Sequence, residues 1–396
     1  MIKESTMEKT SLTSNWEYGT LEDAVNKGSS NISLNKVKED DGEYKLYSAK
    51  GYNKNISFFH QEKEYLAIIK DGAGIGRVSK HPAKSSVVAT MQYLIPKEGF
   101  DIKFVKYFLN VIDFESHRQG STIPHVYFKD YKSEPFPLLP LPQQKKIVAT
   151  LDKAFAAIDT AKANAEQNLQ NAKELFESYF REVLSNKNWP TVKLGEACEK
   201  VEYGSSTKSS REGLLPVLRM GNIQNRRLVW NDLKYSNNKE DNDKYLLKYN
   251  DVLFNRTNSP EWVGKTAIYK GEMPAIFAGY LIRIIRKEDL LDADYLNYYL
   301  NSQIAKDYGD TVVISSVNQA NINGTKLKSY PIPLPSLVTQ KQIVNKLDTL
   351  STKTEKLGAI YIQKIADLEE MKKSVLQKAF SGKLAIENEI LTVENV

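Results

Sequence analysis

The sequence predicts an α+β chain in which two pseudo-repeated mixed α/β domains are joined by two long antiparallel coiled-coil helices. Three observations predict it: a proline-led helical segment that occurs twice, a tryptophan-led segment that opens each half, and an apolar stripe of period 3.5 along each helical segment. A length of 396 residues agrees, because single cores stop growing well short of it.

Pro137-Leu-Leu-Pro-Leu-Pro-Gln-Gln-Lys-Lys-Ile-Val-Ala-Thr-Leu-Asp152 recurs as Pro333-Leu-Pro-Ser-Leu-Val-Thr-Gln-Lys-Gln-Ile-Val-Asn-Lys-Leu-Asp348 at an offset of 196. The same offset pairs Glu174 with Glu370, Ser178 with Ser374 and Lys187 with Lys383. Trp16 to Leu21 matches Trp189 to Leu194 at an offset of 173, with Asp23 and Glu196 two positions on. The middle of the second half is therefore 23 residues longer than that of the first.

Proline cannot continue a helix on its N-terminal side, so each helical segment has a sharp start. Steps of four and three then give Ile147, Leu151, Ala154, Ile158, Ala161, Ala165, Asn168, Ala172, Leu175 and Tyr179 on the first helix. The second gives Ile343, Leu347, Leu350, Thr354, Leu357, Tyr361, Lys364, Leu368, Met371 and Val375. Such a heptad seam needs a partner. Antiparallel pairing with residue numbers totalling about 522 sets small against large, Ala154 facing Leu368 and Asn168 facing Thr354, with Lys364 a mismatch against Ile158. Each helix packing only on its own domain, or on another molecule, remains an alternative at this point.

Between these landmarks, Tyr65 to Lys70, Val87 to Ile95, Asp251 to Phe254 and Ala275 to Ile285 read as strands. Lys103 to Asn110 and Asp294 to Ser302 read as equivalent short amphipathic helices.

The composition, 41% hydrophobic and 26% charged, is that of a globular protein, and no apolar run approaches the ~20 residues of a spanning helix. The first fourteen residues lack the apolar core of a secretory signal, so a cytoplasmic location is expected. Cys198 is the single cysteine, which rules out an internal disulfide and a cysteine zinc cluster. All four histidines, His60, His81, His117 and His125, fall in the first half without metal-ligand spacing. The glycines of Asp71-Gly-Ala-Gly-Ile-Gly-Arg77 are not spaced as a dinucleotide fingerprint, and Gly264-Lys265-Thr266 lacks the upstream glycine of a phosphate-binding loop. Each instead lies between a strand and a basic, polar stretch, where small residues let backbone approach a phosphate chain closely, a tight turn without a ligand being the alternative. No metal, cofactor or catalytic residue is predicted in this chain.

The net charge of +6 permits nucleic-acid binding without requiring it, so the distribution of polar residues decides. Leu218-Arg-Met-Gly-Asn-Ile-Gln-Asn-Arg-Arg227 carries Arg219, Asn222, Gln224, Arg226 and Arg227, and Asn255-Arg-Thr-Asn-Ser259 carries Arg256, Asn258 and Ser259. Arginine pairs bidentately with guanine, and asparagine or glutamine with adenine. With Lys208, Arg211 and Lys265 these are the second half's DNA-binding candidates. Those of the first half are Lys50, Tyr52, Asn53, Lys54, Lys70, Arg77, Lys80, Lys84, Arg118, Gln119, Ser121 and Thr122.

The doubled Pro-Leu-Pro…Gln-Lys-x-Ile-Val…Leu-Asp start, the Trp16 and Trp189 openings, Leu218-Arg-Met-Gly-Asn-Ile223 and Asp251-Val-Leu-Phe-Asn-Arg-Thr-Asn-Ser259 with Val263-Gly-Lys-Thr266 resemble the specificity subunit of type I restriction-modification enzymes. The resemblance covers nearly the whole chain and implies a flexible N-terminus at 1–14, target-recognition domains at 15–142 and 188–338, conserved helices at 143–187 and 339–384, and a tail at 385–396. It implies a non-catalytic subunit in which each domain reads one half of a bipartite target in double-stranded DNA. The helices would set the spacer and dock two modification subunits, which bring S-adenosylmethionine-dependent adenine methylation, and the whole can recruit restriction subunits. The Asp71-Gly-Ala-Gly74 loop departs from the Arg-Thr-Asn-Ser pattern of the second half. A coiled-coil scaffold that binds only proteins is the rival reading, and it leaves the Arg, Asn and Gln loops without a purpose.

Overall fold

The computed structural model describes residues 16–185, 188–259, 262–316 and 319–383. The sequence-based segments 1–14 and 385–396, and the first helix's predicted end at Lys187, lie outside them. Among the described residues no helix is long and apolar enough to cross a membrane.

Two compact units form, and their bounds fall within the two long helices instead of at the helix ends that divide the domains in the sequence. The first runs to Glu166 and resumes at Ile362; the second is Gln167–Tyr361. Each takes one mixed domain and half of each long helix, Leu141–Leu184 and Leu337–Phe380. The helices are not separate bodies because their apolar residues lie in the domain cores. In the first unit Ile147, Leu151, Ile158, Leu368, Leu376 and Phe380 join Phe104, Phe108 and Phe136. Phe176, Phe180, Leu184, Ile343 and Leu347 join Phe254, Tyr295 and Tyr299 in the second.

The two mixed domains share one topology. A four-stranded antiparallel sheet runs Val25–Ser29, Met91–Pro96, Tyr65–Ile69, Val78–His81 in the first and Cys198–Tyr203, Leu281–Arg286, Val252–Asn255, Thr266–Ile268 in the second. Beside it lies a three-stranded sheet whose central strand has one parallel neighbour, Tyr44–Ser48 against Ser85–Val87 and Leu215–Leu218 against Ile276–Phe277. The expected strands Val87 to Ile95 and Ala275 to Ile285 are each divided in two, because the chain crosses between these sheets at 88–90 and 278–280. The short helices are Ile102–Leu109 and Ala293–Leu300, capped by Asp101 and Asp292, whose carboxylates accept from the first-turn amides as N-caps do.

Within each unit the helix halves run antiparallel, but not in the register expected from side-chain size. Lys162 meets Glu369 at 2.6 Å and Asp159 meets Lys372 at 2.7 Å, both totalling 531. In the second unit Leu169 packs on Gly358, and Lys346 lies over the Tyr179 ring at 4.7 Å. The seam also drifts: Leu175 and Leu357, placed in it by the heptad count, are 51% and 40% exposed, whereas Phe176 is buried. A stripe that must face a globular domain follows the straight helix's 3.6-residue period rather than a supercoil's 3.5. The other seam residues, Ile147, Leu151, Ile158, Tyr179, Ile343, Leu347, Leu350, Leu368, Met371 and Val375, are buried or partly buried in the two cores, and Tyr361 is half-buried.

A glutamine in the first turn of each long helix fastens it to its domain. Gln144 is fully buried; it donates to the carbonyls of Leu139 (2.7 Å) and Gly99 (3.0 Å) and accepts from the amide of Asp101 (2.8 Å). Gln340, at the repeat offset, donates to Pro335 and Leu290 and accepts from Asp292, each at 2.8 Å. Two turns on, the hydroxyls of Tyr107 and Tyr298 donate to Asp152 and Asp348, both at 2.5 Å.

Between the sheets of the first domain His81 is 5% exposed, its ring stacked 5.3 Å from Tyr65 and its Nε2 2.7 Å from the Ser79 hydroxyl. Burial pushes its pKa from 6.5 down to about 4. Below pH 6.5 the unfolded chain therefore takes up a proton that the folded chain refuses, so stability falls between about pH 6.5 and 4. Chemical unfolding followed across that range is expected to show a loss on the order of 2–3 kcal/mol that His81→Phe removes. An equal loss in His81→Phe would place the titrating group elsewhere.

Candidate nucleic-acid interface

The loops after the central strands, 70–77 and 256–265, differ in length by two residues and in nearly every side chain, yet their backbones are wired alike. The Ile69 amide donates to the Arg77 carbonyl and the Gly76 amide to the Ile69 carbonyl, each at 3.0 Å; Asn255 with Lys265 and Gly264 with Asn255 repeat this at 2.8 Å. Lys70 donates its amide to Thr90 and Arg256 to Tyr280. The carbonyls of Lys70 and Arg256 accept from Val126 and Ile322, residues 196 apart. Gly76 and Gly264 both hold left-handed backbone, φ +80° and +90°, which a side chain would strain. The backbone thus confirms the Asp71-Gly-Ala-Gly74 loop as the counterpart of the Arg256-Thr-Asn-Ser259 loop, although only the closing glycine and cation are alike in residue type.

A third segment is laid against each loop. In the first unit Asp71 and Gln119 both bridge His125, whose Nδ1 is 2.7 Å from the Asp71 carboxylate. In the second, Thr257–Asn258 pairs with Gln319–Asn321, which pairs with Ile314–Ser316. Asn321 stands at the offset of 196 from His125, so this small sheet is the grown form of the first unit's bridges.

The candidates of the first unit fall into separate places. Lys70, Arg77, Arg118, Gln119, Ser121 and Thr122 gather at the 70–77 loop and the 118–125 turn. Arg118 is tied to Glu115 at 3.3 Å and Gln119 to Asp130 at 2.9 Å, while Ser121 and Thr122 are exposed. Lys50, Tyr52 and Asn53 are exposed on the 44–56 hairpin, apart from that loop in sequence and in sheet. Lys54 is not available for DNA: its ammonium is held by the carbonyls of Val37 (3.0 Å) and Lys38 (2.9 Å). Lys80 pairs with Glu64 at 2.9 Å on a strand, and Lys84 occupies a left-handed turn at φ +53°.

In the second unit two candidates are structural. Asn222 is 2% exposed, accepting from the Arg219 amide and donating to the carbonyls of Val229 and Asn231, so it shapes the turn instead of reading a base. The Arg226 guanidinium lies over the rings of Phe176 (4.4 Å) and Tyr298 (5.2 Å) and donates to Ser351, which fixes the 223–228 hairpin to the helices. Arg227 lies 3.8 Å from Glu355, and Arg219 donates to Asp232. Gln224 donates to the Gly221 carbonyl, and Lys208 and Arg211 lie on an exposed segment. Arg256 donates to Gly279 at 2.8 Å and stacks on Tyr203 at 5.0 Å, and Lys265 sits 3.2 Å over the Trp262 ring. Burial, then the neighbouring Lys306, holds the Lys265 ammonium below its ordinary pKa. Ser259 closes the loop through its carbonyl, which accepts from Trp262 at 3.0 Å, and the Asn258 side chain lies outside the described residues.

Residue-type reasoning missed the exposed aromatics around these loops: Tyr203, Trp262 and Tyr280 in the second unit and Tyr127, stacked on His125, in the first. Aromatics read as core until the strand ends are placed, and the signal available was their position beside cationic loops. Among the described residues no cluster of His, Cys, Asp and Glu could hold a metal ion, and burial pushes the Cys198 thiol up to about 12, away from reactivity.

The family model for the type I restriction modification DNA specificity domain matches twice, over residues 13–171 and 186–365. The type I restriction enzyme MjaVIII specificity subunit of Methanocaldococcus jannaschii is 26% identical over 82% of this chain and 80% of its own. The EcoKI specificity subunit of Escherichia coli is 25% identical over 72% of this chain and 65% of its own. The chain spans about half to two thirds of the length of several such relatives. A chain in a solved type I R-M system assembly has the same fold at TM-score 0.75 and 17% identity, over 94% of this chain and 99% of that one. The HsdS subunit of Thermoanaerobacter tengcongensis follows at TM-score 0.58 and 17% identity, over 96% and 100%. Because the family's domain recurs over each mixed domain and the helix behind it, the chain belongs to the specificity subunits of type I restriction-modification enzymes.

Proposed function

We propose that this chain is the DNA-reading, non-catalytic subunit of such an enzyme, each mixed domain recognising one half of a bipartite target. The observation that carries the reading is the pair of loops with one backbone wiring and two different interiors, as two different half-sites demand. The long helices would hold the two readings at a fixed spacing and dock modification subunits, which supply S-adenosylmethionine and the adenine methylation chemistry; restriction subunits join the same assembly. In a methylation assay on DNA, the purified chain is expected to be inactive alone and to confer methylation of one bipartite sequence when its modification subunit is added. Methyl transfer by the lone chain would overturn its non-catalytic role, and failure of wild-type complex to bind DNA would favour a protein-only scaffold.

Arg256 stands at the opening of the second loop with its Nε engaged, which leaves the rest of the guanidinium to face a base. Arg256→Ala is expected to relax recognition of one half-site by about 1–3 kcal/mol while the other is read unchanged. Sequencing the methylated sites checks this; equal loss at both half-sites would mean a fold defect.

A further inference from the structure

We propose that the cation following the left-handed glycine of each loop, Arg77 in the first unit and Lys265 in the second, is a sequence-independent contact to a DNA backbone phosphate. The proposal rests on the DNA-reading function and says which positions do not read. The interiors of the two loops, 71–74 and 257–262, have no side-chain pattern in common, whereas the branched aliphatic, glycine and cation that close each loop, Ile75-Gly76-Arg77 and Val263-Gly264-Lys265, are shared; the aliphatics pack on the cores and the glycine and cation are held by the same pair of backbone hydrogen bonds. A contact common to both halves must meet what two different half-sites have in common, and that is the phosphate chain.

The charges agree. Among the described residues no carboxylate lies within ion-pairing distance of Arg77 or Lys265, whereas Lys70, at the opening of the first loop, is 3.8 Å from Asp71. Arg77 lies over Gly74, where a side chain would displace its guanidinium. Lys265 lines a cavity of about 690 Å³ together with Lys173, Arg226 and Lys306, with Glu177, Asp310 and Glu355 also on its walls. Lys265 and Lys306 repel one another there, a cost that an entering phosphate would reverse. Gly264 leaves the approach open, with no heavy atom within 4 Å of the place a side chain would occupy.

The test uses the complete complex with its modification subunits and two duplexes, one with the methylated target and one scrambled, titrated between about 50 and 200 mM salt. Arg77→Gln and Lys265→Gln are each expected to weaken both duplexes alike, roughly five- to tenfold at 0.1 M salt, and to lower the slope of log affinity against log salt by about 0.9. Arg77→Lys and Lys265→Arg are expected to keep the wild-type slope, and all four variants the wild-type methylated sequence. An unchanged slope in the glutamine variants, a slope lost equally in the charge-conserving ones, or an altered half-site would each overturn the assignment. Wild-type complex that fails to bind either duplex would instead sink the DNA-reading function itself.

Discussion

Replacing Gln340 by leucine is expected to cost about 3–5 kcal/mol of stability and to loosen the second unit from the start of its long helix. Leucine fills similar space, so packing is nearly preserved, but the Asp292 amide and the carbonyls of Leu290 and Pro335 lose their partner inside a site that excludes water. Each buried polar group left alone costs about 1–3 kcal/mol. Gln144→Leu is the matching change in the first unit, where Gly99, Leu139 and Asp101 are stranded. Urea unfolding of both variants measures the effect. A loss under about 1 kcal/mol would mean that backbone shifts or water satisfy these groups and that the glutamines do not fasten the helices.

Arg283→Leu is expected to cost a comparable 3–5 kcal/mol at neutral pH, and unlike the glutamine change it should be relieved by acid. Arg283 is 7% exposed, and its guanidinium lies 3.2 Å from Asp251 and is bonded to Glu202. The two carboxylates respond differently. Burial dominates at Asp251 and raises its pKa, despite the Lys248 amide and Arg283; at Glu202 burial is outweighed by hydrogen bonds from Lys200 and Arg283, and the pKa falls. Without the arginine the Asp251 pKa, already raised by burial, rises further, and Glu202 loses one of the two cations that lower its own and keeps Lys200 at 2.7 Å. The penalty is then full at neutral pH and shrinks as acid protonates Asp251 in the folded state. Unfolding at pH 7 and pH 5 distinguishes this from lost packing, for which the cost would be the same at both.

What was legible in the sequence is what repetition preserved. The helix starts were visible because Pro137-Leu138 with Pro333-Leu334, Gln144 with Gln340 and Asp152 with Asp348 recur at one offset, and the glutamines and aspartates are the residues that clamp each helix to its domain. That the Asp71-Gly-Ala-Gly74 loop takes the place of Arg256-Thr-Asn-Ser259 was legible, but the common wiring of the two was not, because the hydrogen bonds that hold them run between amides and carbonyls and only the closing Gly76-Arg77 and Gly264-Lys265 mark it in residue identity. Counting from the paired strands, the offset between the halves climbs from 173 at the opening to 186 at Leu66 and Val252, 188 at Arg77 and Lys265, and 196 from His125 and Asn321 onward. The extra length of the second half therefore enters in small steps that hide the alignment. Asn222 looked like a base reader because asparagine serves equally well to close a turn, and only its burial separates the two uses. Leu175 was placed in the seam because a 3.5-residue count slips by one position from a 3.6-residue stripe after several turns, which is enough to substitute Leu175 for Phe176.

The discontinuity of the first unit also orders events during synthesis. Leu376, Ala379 and Phe380 belong to the same core as Phe104 and Phe108, so synthesis must reach Phe380 before that core can close. The second unit is one unbroken stretch, Gln167–Tyr361, within which Lys346 over Tyr179 spans 167 residues against the 276 between Phe104 and Phe380. Shorter loops close at lower entropic cost and fold sooner. The domain translated first is thus the one completed last, and until the C-terminal turns arrive it exposes the apolar surface that Phe380 will cover, a span in which collapse onto a wrong partner competes with folding.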